Sequence, residues 1–223
     1  MTNINSLKKI FKNEELLTQA LTHKSWVNEN PKTNGTNERL EFLGDAILEY
    51  VVSKELYDSF PKKEEGYLTA LRANLVNTVN LSNISKKLGV GAAILLSKGE
   101  EETGGRTNQS LLADTLEAII GALYIDQGID KAEEFITKNI LVDVEEKIKL
   151  PLKDAKSRLQ EYVQATGSQA PKYIVIQEIG PDHSKEFIVE VVINSKPVSK
   201  GKGKSKGEAE QEAAKKALDT LPL

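Results

Sequence analysis

Two stretches of this chain have the apolar periodicity of buried helices and yet carry acids within it. Asn37-Glu38-Arg39-Leu40-Glu41-Phe42-Leu43-Gly44-Asp45-Ala46-Ile47-Leu48 is one; Leu111-Leu112-Ala113-Asp114-Thr115-Leu116-Glu117-Ala118-Ile119-Ile120-Gly121-Ala122-Leu123-Tyr124 is the other. A carboxylate on an apolar face is costly unless a cation compensates it, so the two stretches constrain the fold jointly. Helical residues three or four apart share a face. Glu41 and Asp45 therefore sit together, with Glu38 one turn earlier, and their stripe continues through Leu48 and Val52. Asp114 and Glu117 share a face that runs on through Ala118, Gly121 and Ile125, where the small residues let another helix approach closely. A purely solvated polar face fits neither segment, because both stripes continue as apolar surface.

If the two faces meet, four carboxylates converge. Two like charges about 5 Å apart repel by roughly 3 kcal/mol at an effective dielectric of about 20, and four ionised groups in one site require cations or protons. A hard divalent ion with oxygen ligands, Mg²⁺ above all, is the natural occupant. It leaves coordination positions for phosphate oxygens, and a pair of such ions activates water and stabilises a leaving oxygen on phosphorus. The pattern points to metal-dependent phosphodiester chemistry.

The composition narrows the alternatives. The chain of 223 residues suffices for one large domain or two small ones. It has no cysteine, which excludes disulfides, thiolate nucleophiles and cysteine zinc sites. The N-terminal Met1-Thr2-Asn3-Ile4-Asn5-Ser6-Leu7-Lys8-Lys9 lacks the basic-then-apolar layout of a signal peptide. No apolar run reaches the roughly 20 residues that span a bilayer, so a cytoplasmic protein with no membrane contact is expected. The net charge of −3 hides an asymmetry: residues 1–150 carry 18 basic and 23 acidic side chains, and residues 151–223 carry 12 and 10. Neither half is basic enough to imply nucleic acid. Lys196, Lys200, Lys202, Lys204 and Lys206, however, follow one another without an intervening acid and are candidate phosphate contacts.

Residues 1–148 show successive 3.6-residue patterns, as in 15–21, 40–56, 68–88 and 111–125, with breaks at 30–35, Pro61, 89–91 and 99–105. This half is expected to be all-helical. Residues 149–153 read as a short linker, and 154–223 follow the order helix, three strands, helix. Leu159, Tyr162 and Val163 line one side of the first helix, with Gln160 and Gln164 on another. Residues 173–176 and 187–193 are rich in β-branched side chains and read as strands, with a third near 197–200. Ser205-Lys206-Gly207-Glu208 is a capping box opening a helix whose apolar face is Ala209, Ala213, Ala214, Ala217 and Leu218. This order puts both helices on one face of a small antiparallel sheet. The lysines are densest where the last helix begins, and a helix N-terminus already favours anions.

Residues 37–48 resemble the signature of ribonuclease III almost letter for letter, and residues 111–118 resemble that family's second acidic motif. Glu65-Gly66 between them also fits the pattern, and the resemblance extends over essentially the whole chain. It implies an all-helical endonuclease domain followed by a small α-β-β-β-α double-stranded RNA-binding domain. It implies that Glu41, Asp45, Asp114 and Glu117 form a catalytic site for Mg²⁺, with Mn²⁺ as a substitute, and that Glu38 and Glu65 are supporting acids. Asp45 and Glu117 are expected to be the least replaceable. The resemblance further implies a homodimer in which each subunit cuts one strand of a double-stranded RNA. Water as the nucleophile implies 5′-phosphate and 3′-hydroxyl ends, and the cellular roles implied are maturation of ribosomal RNA and of other transcripts. Phe42, large and apolar beside the acids, belongs either to the dimer contact or to the core.

The C-terminal segment resembles a double-stranded RNA-binding domain, whose last motif has this Gly-x-Gly-x-Ser-Lys and Ala-rich form. The resemblance implies minor-groove contacts from Gln160, Glu161 and Gln164, another from the loop carrying His183, and phosphate contacts from Lys204 and Lys206. Such domains read A-form shape across about 16 base pairs. Gly207 and Glu210 stand where the family can have basic residues, which predicts weaker or more salt-sensitive RNA binding. His23 reads as a packing residue. Two rivals fit parts of the pattern. A catalytically silent RNA-binding protein would be expected to lose acids, and all four are retained. A phosphohydrolase acting on small nucleotides leaves the C-terminal domain unexplained.

Overall fold

Helices build the first half of the chain: α1 (Ile4–Ile10), α2 (Glu14–Ala20), α3 (Lys24–Glu29), α4 (Glu38–Ser59), α5 (Glu65–Val76), α6 (Thr78–Leu88), α7 (Lys98–Glu102), α8 (Gln109–Gln127) and α9 (Ile129–Asn139). The computed structural model describes residues 4–33, 35–142, 144, 154–181 and 185–221. The chain divides into two units, Met1–Leu150 and Pro151–Leu223.

In the first unit α8 is the central element. Asn108 caps it by accepting from the backbone N–H groups of Ser110 and Leu111, and α2, α4, α6 and α9 all pack on it. Enclosure on several sides accounts for its nearly continuous apolar sequence. Leu112, Leu116, Ile119, Ile120 and Leu123 are fully buried along it. The most extensive partner is α4, which buries Leu40, Leu48, Val51, Val52 and Leu56. The two helices meet backbone to backbone. A β-carbon built on Gly121 would lie 2.2 Å from the carbonyl oxygen of Leu40, so this close approach excludes every side chain larger than hydrogen.

Two local readings are corrected. The periodic stretch 68–88 is not one helix, because Asn77 is extended (φ −69°, ψ 155°) and its side chain accepts from the N–H of Asn80 to start α6. The glycine-rich stretch 99–105 is not merely a break, because Ser97 accepts from the N–H of Glu100 and opens α7.

The second unit comprises α10 (Ala155–Ala165), β1 (Lys172–Ile179), β2 (Glu186–Ile193), β3 (Lys196–Gly203) and α11 (Lys206–Thr220). The strands form one antiparallel sheet in the order β1-β2-β3. Asn194 and Ser195 join β2 to β3 with positive φ at both positions, 50° and 65°, the requirement of a tight hairpin turn. Leu159, Val163, Val191, Ala213, Ala214, Ala217 and Leu218 make the core between the sheet and the helices. The third strand is longer than the sequence suggests, and its glycines explain why. A β-carbon on Gly201 would lie 2.2 Å from the Ala209 carbonyl oxygen, and one on Gly203 would lie 2.5 Å from the Ala209 nitrogen. The Gly-Lys alternation therefore seats β3 against α11 through its glycines and leaves Lys200 and Lys202 on the other face. At the start of α11, Ser205 accepts from the N–H of Glu208, and the Glu208 carboxylate accepts from the N–H of Lys204 at 2.9 Å.

Candidate metal centre and nucleic-acid surface

The close crossing of α4 and α8 brings their acids together. Carboxylate oxygens of Glu41, Asp114 and Glu117 all lie within 4.8 Å of one another. Asp45, one turn beyond Glu41, is exposed and outside that group of three, yet it is the strongest charged influence on Glu117. Glu38, exposed at the start of α4, accepts from Thr36 Oγ1 at 3.1 Å and pairs with Lys24 at 3.4 Å.

The group is short of positive charge. Burial, followed by the carboxylates of Asp45, Asp114, Glu41 and Glu49, pushes Glu117 up to about 8. Burial raises Asp114 as well, opposed by His23 and Lys24. Glu41 is raised by burial and by Asp114 and Glu38. Three crowded oxygen donors that resist losing their protons are what a hard divalent cation relieves. The residues present thus fit such an ion.

Several neighbours escaped the sequence reading. Glu49 acts on Glu117 from the next turn of α4, and Arg72 of α5 holds it at 2.8 Å. The signal was present, since Glu49 follows Asp45 by four residues, but an apolar count follows the stripe to Leu48 and Val52 instead. Lys24 and His23 carried no spacing signal. They are fixed by a long-range bridge: Leu95 N–H donates to Leu21 O at 2.8 Å, His23 N–H to Leu95 O at 3.1 Å and Asn37 N–H to Thr22 O at 2.9 Å. His23 also caps α3, its ring nitrogen accepting from the N–H of Ser25.

Glu65 stands apart from the three acids. It accepts from Thr69 Oγ1 at 2.8 Å and borders a groove of about 800 Å³ between the end of α4 and α5, lined also by Tyr50, Tyr57, Phe60, Leu68 and Arg72. Phe42, on α4, is 80% exposed, so it is not a core residue.

In the second unit Gln160, Glu161 and Gln164 are exposed on α10, and Lys204 and Lys206 are exposed at the start of α11. The Lys206 ammonium lies 3.5 Å from Glu178 and 5.5 Å from the centre of the Phe187 ring. Lys200 pairs with Glu190 and Lys202 with Glu186. His183 lies outside the described residues. Glu210 has a structural partner: it is half-buried against Lys156, tying α11 to α10. Among the described residues no helix is long and apolar enough to cross a membrane.

Residues 13–144 match the family model described as ribonuclease-III-like, and residues 155–221 match that of the double-stranded RNA binding motif. The chain is 48% identical to ribonuclease 3 of Geobacillus kaustophilus over 97% of its own length and 89% of that protein. It is 50% identical to ribonuclease 3 of Anoxybacillus flavithermus over 95% and 89%. A crystal structure of the nuclease domain of ribonuclease III from Campylobacter jejuni superposes with a TM-score of 0.57 at 41% identity, covering 68% of this chain and 99% of that one. A second structure of that domain, described for flexibility in a region involved in dimer formation, gives 0.55 at 44% identity over 62% and 96%. The chain belongs to the ribonuclease III family, as an endoribonuclease of that type carrying a double-stranded RNA-binding motif.

Proposed function

We propose that the protein cleaves double-stranded RNA in a magnesium-dependent reaction. The observation that carries this reading is the meeting of Glu41, Asp114 and Glu117 oxygens within 4.8 Å, with Glu117 reluctant to ionise alone. Those three side chains would hold Mg²⁺, or Mn²⁺ in its place, with Asp45 completing the set from its exposed side. A bound magnesium supplies polarisation of a phosphoryl oxygen and of an attacking water. Asp45 and Glu117 are then the least replaceable residues. Glu38 keeps Lys24 beside the acids, where its charge favours their ionised forms. Attack by water leaves 5′-phosphate and 3′-hydroxyl ends, and the 2′-hydroxyl serves in recognition.

The RNA-binding face would consist of Gln160, Glu161 and Gln164 on α10, the loop carrying His183, and Lys204 and Lys206. We assign residues 1–148 to the nuclease domain, 149–153 to a linker and 154–223 to the RNA-binding domain. We further propose a homodimer in which Phe42 of one copy enters the groove of the other. A two-fold arrangement of this kind is self-complementary. It would carry Glu65, on the groove's edge, toward the other copy's Glu41, which explains a supporting acid that is remote from the acids of its own chain. The proposed setting is the cytoplasm, and the proposed tasks are maturation of ribosomal RNA and of other structured transcripts.

The test is incubation with a long RNA duplex, with and without Mg²⁺. Cleavage is expected only with the metal, and Glu117→Gln is expected to abolish it. Persistent cleavage by that variant would overturn the site assignment. Truncation before Asp154 is expected to weaken binding at physiological salt while leaving cutting at low salt.

A further inference from the structure

Lys206 is not idle in the RNA-free protein. Glu178, on β1, lies opposite Phe187 of β2 in the sheet register. Its two oxygens face two different lysines, Lys206 at 3.5 Å and Lys185 at 3.3 Å. Those two lysines hold the Glu178 carboxyl below its ordinary range, Lys185 more strongly than Lys206. Lys206 also rests over the Phe187 ring. Lys204, by contrast, has no carboxylate partner among the described residues. The lysine at the mouth of the last helix is thus matched in advance by a fixed anion.

We propose that Glu178 is an internal substitute for an RNA backbone phosphate: it occupies Lys206 in the free protein and is displaced when a duplex binds, setting the affinity and salt dependence of that binding. This rests on the reading of Lys206 as a phosphate contact. The exchange is feasible because a solvent-exposed pair of this kind is weak, and Lys206 and Glu178 are 58% and 38% exposed. It is opposed because the displaced carboxylate stays beside the incoming phosphate as a like charge. The sign of the effect is therefore fixed. A residue that merely oriented Lys206 would weaken binding when removed, whereas a competing anion strengthens it. Each phosphate neutralised by a free lysine adds about 0.7–0.9 to the slope of log K against log salt. A lysine already paired within the protein releases fewer counterions, so removing Glu178 steepens that slope.

The experiment uses the full chain, metal-free in EDTA so that nothing is cut, and a labelled RNA duplex of about 20 base pairs, long enough for the roughly 16 that such a domain spans. Wild type, Glu178→Gln, Lys206→Ala and the double variant are titrated from low to physiological salt, with Glu178→Ser as a second substitution and thermal melts to verify folding. Glu178→Gln is expected to tighten binding about threefold to tenfold at low salt and to steepen the salt slope by up to about 1, with the gain absent in the Lys206→Ala background. Unchanged or weaker binding by both Glu178 variants, with Lys206→Ala still weakened, overturns the proposal alone. A gain that persists without Lys206 overturns it too, because the acid then acts on another group. Wild-type binding by Lys206→Ala overturns the phosphate reading and the proposal with it.

Discussion

The backbone of Gly44 rests on the carbonyl of Glu117: a β-carbon at residue 44 would lie 1.8 Å from that oxygen. The position that brings the two acid-bearing helices together is also one where no side chain fits. Overpacking a core by ordinary methylenes costs about 1–3 kcal/mol, and here the obstacle is backbone, which cannot change rotamer. Gly44→Ala is expected to lose more than about 3 kcal/mol of stability, read as a lower urea midpoint, together with cleavage activity. An alanine variant with the wild-type midpoint would show that the helices separate freely.

Glu117→Gln is expected to abolish metal-dependent cleavage and yet to stabilise the metal-free protein at alkaline pH. The sign follows from linkage. Glu117 titrates at about 8 in the folded chain against an ordinary 4.5, so between those values the native state holds the extra proton. Stability then falls as pH rises from about 4.5 through 8. Glutamine removes that loss, and thermal melts in EDTA at pH 6 and pH 9 should show the variant gaining on wild type at the higher pH. Added Mg²⁺ should reverse the comparison, because a ligand of the folded state stabilises only the chain that binds it.

Phe42→Ala is expected to leave the fold intact, since the ring is 80% exposed, and to shift a dimer toward monomer in sedimentation velocity, with cleavage falling in parallel. Retention of the dimer would remove Phe42 from the interface.

Asp154 caps α10 and accepts from Gln211 Nε2 at 2.7 Å. That bond first, then those from Ser157, lowers its carboxyl to about 2 from an ordinary 3.8. Its contribution is therefore complete above about 4 and is lost as pH falls toward 2. Asp154→Asn is expected to lower the melting temperature at neutral pH and to flatten its acid limb, so that the gap to wild type closes between pH 4 and 2.

Gly207 is exposed in the first turn of α11, and a β-carbon there meets only Ser205 Oγ at 4.0 Å. Nothing steric keeps a basic residue out. Gly207→Lys is expected to tighten duplex binding roughly threefold and to steepen the salt slope by about 1, measured by fluorescence anisotropy.

Much of this was legible in the residues. The periodic acids of 37–48 and 111–124 marked α4 and α8, and Gly121 signalled the close crossing; of the four acids expected to converge, Glu41, Asp114 and Glu117 meet and Asp45 stands outside them. What stayed hidden had tertiary causes. Asn77 splits a periodic stretch through a capping bond that no single asparagine announces. Glu210 reads as a missing basic contact until Lys156 is seen beside it, and the Lys185–Glu178–Lys206 group depends on strand register. The groove bordered by Glu65 depends on how α5 leaves α4, which local pattern does not encode.

The seating of β3 has a consequence for its basic edge. Side chains on a strand alternate with a period of two, so Gly201 and Gly203 must point at α11 if Lys200 and Lys202 are to point away. Deleting one residue from the Asn194-Ser195 hairpin would leave the composition almost unchanged and drive ammonium groups into the backbone of α11. The reading frame of the strand, more than its number of lysines, decides whether that edge exists.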